Sequence, residues 1–276
     1  MSNPVGLRTY SVLYLIFLYA PIMLLPLFAF NESSVIAFPL SGFTTAWFTA
    51  MWEDDELFRA LRNSLVVSGS TAVISTAFGL FAARAITRYR FPLKAGLAGM
   101  IMLPMILPNI IIAMSILVVL LTIGVYLSLW TIVLGHVLIC IPFATAILLT
   151  AFRSLDKSLE EAACDLGETP ASAFRLITLP LVMPGIISSM LMCFTISLDE
   201  FVIAYFLGGT NTPLAAYIYG QFRFPAKVPA MLALGSILVV SSVILIGAAE
   251  YLRRRGLARA GGEPAGGFGQ VAEDTK

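Results

Sequence analysis

Two adjacent carboxylates, Asp199 and Glu200, close the run GIISSMLMCFTISLDE, in which no other residue is charged. A helix rising about 1.5 Å per residue covers about 22 Å from Pro184 to Asp199, which puts the pair in the outer part of a bilayer. Acids at mid-membrane cost on the order of 2.5 kcal/mol each, less toward the edges, and mark solute or ion paths. Adjacent carboxylates suit a cationic solute, because each offsets an ammonium charge that has shed water. The alternative is a structural role, pairing with Arg or Lys on a neighbouring helix or subunit. Ser189, Cys193 and Ser197 precede Glu200 at helical spacing, so one face of this helix is expected to be wetter than the rest, with Ser197 beside the acids.

Other residues could contribute. Trp47 and Trp52 precede the acidic run Glu53 to Glu56, and aromatic faces with carboxylates hold amines by cation–π contact and charge. An interfacial aromatic belt explains the tryptophans equally well. Tyr217 and Tyr219 read as belt residues or contacts to an external protein. Asn109 follows Pro108, where a broken helix would turn free carbonyls toward a path. His136, the only histidine, reads as a helix–helix hydrogen-bond partner. It has no second histidine, nucleophile motif or acid pair beside it, so a membrane enzyme is excluded. Cys140, Cys164 and Cys193 are too scattered for a disulfide framework or metal site. No G-x4-G-K-[ST] phosphate loop occurs, and none of Lys94, Lys157, Lys227 and Lys276 follows a glycine loop, so ATP cannot be the business of this chain.

The elements that must hold these residues follow from composition. Of 276 residues, 59% are hydrophobic and 12% charged, against about 25% charged in a soluble domain. With a mean hydropathy of +0.91, the chain is an all-α integral membrane protein. The net charge of +1 and the lack of a basic patch exclude a nucleic-acid partner. Spans of about 20 apolar residues fit at 10–30, 64–83, 96–121, 130–152, 184–207 and 229–251. Continuous runs rather than ten-residue alternations exclude a barrel. The first span has no small-residue cleavage site and reads as an uncleaved anchor. Both termini are expected in the cytoplasm, because that orientation leaves only Arg59, Arg62, Arg223 and Lys227 outside. The cluster Arg84, Arg88, Arg90 and Lys94 then anchors the inner interface. Residues 1–256 form the membrane domain, and the Gly-rich 257–276 is expected to be a disordered cytoplasmic tail.

One polar island, 153–183, interrupts the apolar chain. Ser158 and Glu161 fit a capping box, Gly167 sits where a left-handed residue ends a helix, and Thr169-Pro170 restarts one. Pro180 and Pro184 are expected to break it again before the fifth span. Ala162, Ala163 and Leu166 would form one small, smooth face. Such a short helix pair is marginal alone, so it either rests on lipid headgroups or docks on a partner.

The spacing from Glu161-Ala162-Ala163 through Gly167 to Ile177, Leu179 and Pro180 resembles, without a gap, the EAA loop of permease subunits in binding-protein-dependent ABC importers. FTTAWFTAMW, LPMILPNIII, GHVLICIPF and SLDEFVIAYF, in order, are similar to the spermidine/putrescine branch. The resemblance implies the type I ABC importer permease fold with six spans, in a bacterial inner membrane. It also implies an island, Glu160 to Pro180, seated on a separate ATPase subunit that binds ATP and Mg²⁺. The chain itself is expected to need no cofactor and no metal. A sister permease, an external solute-binding protein and a small cationic solute, most simply putrescine or spermidine, complete the expected partners. An acid is usual at the position of Asn109 in spermidine-type relatives, so this chain departs from them there. A permease for another small solute and a self-sufficient secondary transporter or channel are the competing readings.

Overall fold

The computed structural model describes residues 4–259. In chain order the helices are α1 (Pro4–Ala29), α2 (Ala46–Trp52), α3 (Asp55–Arg88), α4 (Lys94–Met102), α5 (Asn109–Thr122) and α6 (Leu129–Arg153). They continue with α7 (Ser158–Asp165), α8 (Pro170–Ala173), α9 (Leu179–Asp199), α10 (Val202–Leu207), α11 (Leu214–Gln221) and α12 (Val228–Arg259). Among the described residues no strand forms, as lipid requires of a non-barrel chain. Five helices are long and apolar enough to cross a membrane, or six if the bent pair Lys94–Met105 and Asn109–Thr122 counts as one. Those two segments meet at 100°. Pro108 supplies the break that its position predicts, because the residue before a proline avoids the α region.

The chain divides into two compact units. The first joins Met1–Asp54 to Gln221–Lys276, with α1 against α12. Its core is Phe28, Ala29, Leu232 and Ala233, with Leu25, Trp47 and Phe48 packed on it. Elsewhere α1 shows its apolar side chains to the surroundings, with Phe17 80% exposed. That surface suits lipid or another chain, not water. Helix α12 runs three residues past the expected start of the tail, and 260–276 lie outside the described residues.

The second unit, Asp55–Gly220, is built on α3, α6 and α9. Small residues let these helices approach closely. A Cβ at Gly79 of α3 would fall 2.7 Å from the Cβ of Ala144 on α6. The core combines Val67, Ile112, Ile132, Cys140, Ile203 and Leu207. Phe152, Leu148 and Val182 make a second cluster toward the end of α3.

Three expectations require correction. The fifth span does not run to 207: α9 stops at Asp199, Glu200 is extended, and α10 is a separate short helix. Pro180 and Pro184 do not break the chain, for helix continues from Pro170 to Asp199. Within it, Phe174–Thr178 is a π turn. The ring of Pro180 would clash with the carbonyl one α turn back, and the wider π turn gives it room. The second span's helix extends well past 64–83 at both ends, because Glu56, Arg59, Arg62, Arg84 and Arg88 are sound helix formers and the acids Asp55 and Glu56 suit a first turn.

Candidate functional site

The acids lie at a junction of broken helices. Asp199 is the last residue of α9, and its carboxylate is exposed. Glu200, half-buried, uses one carboxylate oxygen to accept from the backbone N–H groups of Val202 and Ile203 at 3.0 and 3.2 Å. Its other oxygen accepts from Asn109 Nδ2 at 2.6 Å. Asn109 opens α5 just past the 100° bend, so the contact ties the two helix breaks together. A carboxylate with three such donors is fixed in position. Neither acid makes an ion pair among the described residues.

Beside Glu200 the sequence hides an aromatic group. The Phe201 ring lies 4.5 Å from that of Tyr219 and 5.7 Å from that of Tyr205, and Tyr205 and Tyr219 are 6.0 Å apart. Both tyrosines are about half exposed, at 45% and 49%. Tyr219 is thus part of a ring cluster next to the carboxylates. The signal was available as aromatic spacing of four within FVIAYF, one helical turn.

The polar face expected on α9 is not wet. Ser189 meets Thr76 of α3 at 3.1 Å. Cys193 and Cys140 of α6 each donate to the other's carbonyl, at 3.7 and 3.8 Å. Ser197 bonds His136 Nδ1 of α6 at 2.7 Å and is 3% exposed. The stripe is a seam between helices, where small polar side chains satisfy one another. Ser197 therefore supports the histidine, and His136 is the helix–helix partner expected of it. Trp47 lies in the other unit, where its indole N–H donates to the Asn31 carbonyl at 2.8 Å and its ring joins the α1–α12 core.

The island is a second candidate surface. Gly167, at φ +97°, turns the chain between α7 and α8, and Thr169 caps α8 by accepting from Ser172 N–H at 3.2 Å. The capping box is not made. Asp156 caps the start of α7 instead, accepting from Ser158 N–H at 2.9 Å, and this bond holds its carboxyl below its usual range. Glu161 is drawn to Lys157 at 2.5 Å, which satisfies it on its own helix. Nor is the small face continuous: Ala163 is 5% exposed, while Ala162 points out and Leu166 is 88% exposed. Leu179 and Pro180 lie in α9, and Ile177 in the π turn before it. Glu160 points the other way, its carboxylate accepting from Arg88 Nε at 3.0 Å. Arg84 lies over the Phe174 ring at 3.9 Å. Two of the basic residues expected to anchor at an interface therefore grip the island.

The profile of the family described as binding-protein-dependent transport system inner membrane component matches residues 75–256, from mid-α3 to the end region of α12. The chain belongs to that family. It is therefore a multi-pass inner membrane permease component of an ABC importer, and its task is transport, not catalysis. It is 33% identical over 239 residues to the spermidine/putrescine transport system permease protein PotC of Escherichia coli (strain K12), covering 86% of this chain and 90% of PotC. It is 34% identical over 259 residues to the putrescine transport system permease protein PotI of the same organism, covering 88% and 92%. The permease is thus close to polyamine permeases. In fold it resembles a chain of a bacterial ABC transporter involved in the import of the acidic polysaccharide alginate, with TM-score 0.67 at 21% identity over 91% of this chain and 94% of that one. A chain of the inward-facing MetNI methionine ABC transporter aligns with TM-score 0.58 at 17% identity, covering 76% and 98%.

Proposed function

We propose that this permease forms the membrane path for a small amine cation, most simply putrescine or spermidine, in an importer driven by a separate ATPase. The observation that carries the reading is the Glu200 carboxylate, held by Asn109 at the meeting of two broken helices with Asp199 exposed beside it. Helix breaks inside a membrane bring unpaired backbone and charge to a path rather than to lipid. Tyr205 and Tyr219 add faces on which an alkylammonium can rest. The relatives named for spermidine and putrescine transport support the same solute class.

The island supports coupling. Glu161, Ala162 and Leu166 stand exposed around a glycine corner, a surface that suits a groove on an ATPase subunit carrying ATP and Mg²⁺. Helix then continues from Pro170 to Asp199, so a push at the island travels along one rod to the acids. A sister permease beside the exposed apolar helices and an external solute-binding protein complete the assembly. Six spans, with the bent pair counted as one, would leave both termini on one side of the membrane, and the distribution of Lys and Arg favours the cytoplasm. In operation, ATP-driven closure of the ATPase dimer would move the island and open the path outward. The solute would be accepted near Asp199, and hydrolysis would reverse the change.

The test is uptake of labelled putrescine by cells carrying the Asp199→Asn/Glu200→Gln double variant at normal expression. Loss of uptake is expected. Undiminished uptake would defeat the assignment of the acids.

A further inference from the structure

The last turn of α3 contacts the island at two places. Arg88, the final residue of α3, donates from Nε to Glu160 on α7 at 3.0 Å and from a terminal nitrogen to the Leu155 carbonyl, between α6 and α7, at 3.2 Å. One turn earlier, Arg84 lies over the ring of Phe174, where the π turn begins, at 3.9 Å. The end of α3 thus holds α7 with one guanidinium and the entry to α9 with the other.

Three features set these contacts apart from ordinary surface pairs. The Arg88 and Glu160 side chains are 10% and 17% exposed, whereas Lys157, just before α7, and Glu161 within it are each 59% exposed. An ion pair shielded to that degree is screened little by salt, and removing one partner strands the other's charge. Next, an open cleft of about 280 Å³ is lined by Arg84 and Arg88 of α3 together with Glu160, Cys164 and Pro170 of the island. Polar and cation–π contacts cross it, beside the apolar cluster that holds Ala83 of α3 with Leu155 and Phe174. Finally, α3 is bound further along to the other helices of its unit, through Thr76 to Ser189 on α9 and through the close approach of Gly79 to α6.

We propose, resting on the reading that the island docks an ATPase, that Arg84 and Arg88 form a clamp through which the island displaces α3. Arg88–Glu160 is the strut that makes hydrolysis productive. These are positioning residues: they touch neither solute nor nucleotide. Docking depends on the exposed side of the island, whereas the clamp occupies its inner side, so the two roles separate experimentally.

The experiment uses the complete importer, with ATPase, sister permease and binding protein, in proteoliposomes. Three quantities are measured: co-purified ATPase subunit, ATP hydrolysis, and uptake of labelled putrescine. Arg88→Glu and Glu160→Arg, singly, should retain the ATPase and hydrolyse ATP within twofold of wild type while uptake falls at least tenfold. The double charge swap should recover at least half of wild-type uptake. Glu160→Gln, which keeps shape and an acceptor for Arg88, should assemble fully and still raise the ATP spent per solute severalfold. Single variants with wild-type ATP-to-solute ratios, or a swap no better than its parents, would overturn the clamp. Failure of the wild-type permease to retain any ATPase would instead overturn the docking reading on which it rests.

Discussion

Asn109 and Glu200 stand 91 positions apart in the chain, and a 2.6 Å hydrogen bond joins their side chains. The bond joins the start of α5, just past the 100° bend, to the gap between α9 and α10. A neutral donor at this point orients the acid without neutralising it.

Asn109→Leu should therefore weaken solute binding with little effect on turnover. A hydrogen bond to a charged group contributes about 1.5–3 kcal/mol, so the KM for putrescine uptake should rise roughly tenfold or more. Initial-rate uptake over a range of putrescine concentrations separates KM from maximal rate. An unchanged KM would show that Asn109 does not prepare the site.

Gly167 holds φ at +97°, and a Cβ there would meet nothing within 4 Å. Backbone conformation alone therefore demands the glycine, and alanine should cost only about 1–2 kcal/mol. Proline, locked near φ −65°, cannot adopt the corner at all. Gly167→Pro should reach the membrane normally yet lose uptake, and Gly167→Ala should keep most of it. Normal transport by the proline variant would count heavily against the island as a coupling element.

Gly79 is demanded by space instead. A Cβ would lie 2.7 Å from Ala144 Cβ and 2.9 Å from two backbone atoms of α6. Overpacking of this kind costs typically about 1–3 kcal/mol. Gly79→Val should lower the thermal unfolding midpoint of the purified permease in detergent. Gly69→Ala, on the same helix with open space at its Cβ, should not lower it.

Ser197→Ala removes the 2.7 Å bond to His136 in the α6–α9 seam. Interhelical hydrogen bonds in membranes average about 0.6 kcal/mol, so a small loss of thermal stability is expected. Solute affinity should not change, since Ser197 is only 3% exposed. A raised KM would return Ser197 to the solute path.

Much of this architecture can be read from residue types. Gly167, Thr169 and Pro108 act where they stand because their effects are local: a positive φ, a side-chain cap, a ring that restricts its neighbour. The end of the fifth span could not be found that way, since FVIAYFL beyond Glu200 is as apolar as the helix before it. Pro180 misled because its local effect, a broken helix, is offset by a π turn whose formation depends on packing. The stripe from Ser189 to Ser197 misled for a related reason. Periodicity reports that a face is polar, not whether water or another helix covers it. The contacts that matter most to the site, Asn109 with Glu200 and Arg88 with Glu160, join residues far apart in sequence, and no spacing rule reaches across 91 or 72 positions.

The central claim is that the corner around Gly167 is where an ATPase engages this permease. Leu166 is the place to test it, being 88% exposed, whereas the neighbouring Ala163 is buried. A photo-activatable crosslinker attached at Leu166→Cys, in membranes holding the whole importer, should capture the ATPase subunit in high yield. Capture should vary with the nucleotide supplied. Illumination that yields only lipid adducts or uncrosslinked permease, from a complex still active in uptake, would contradict the account.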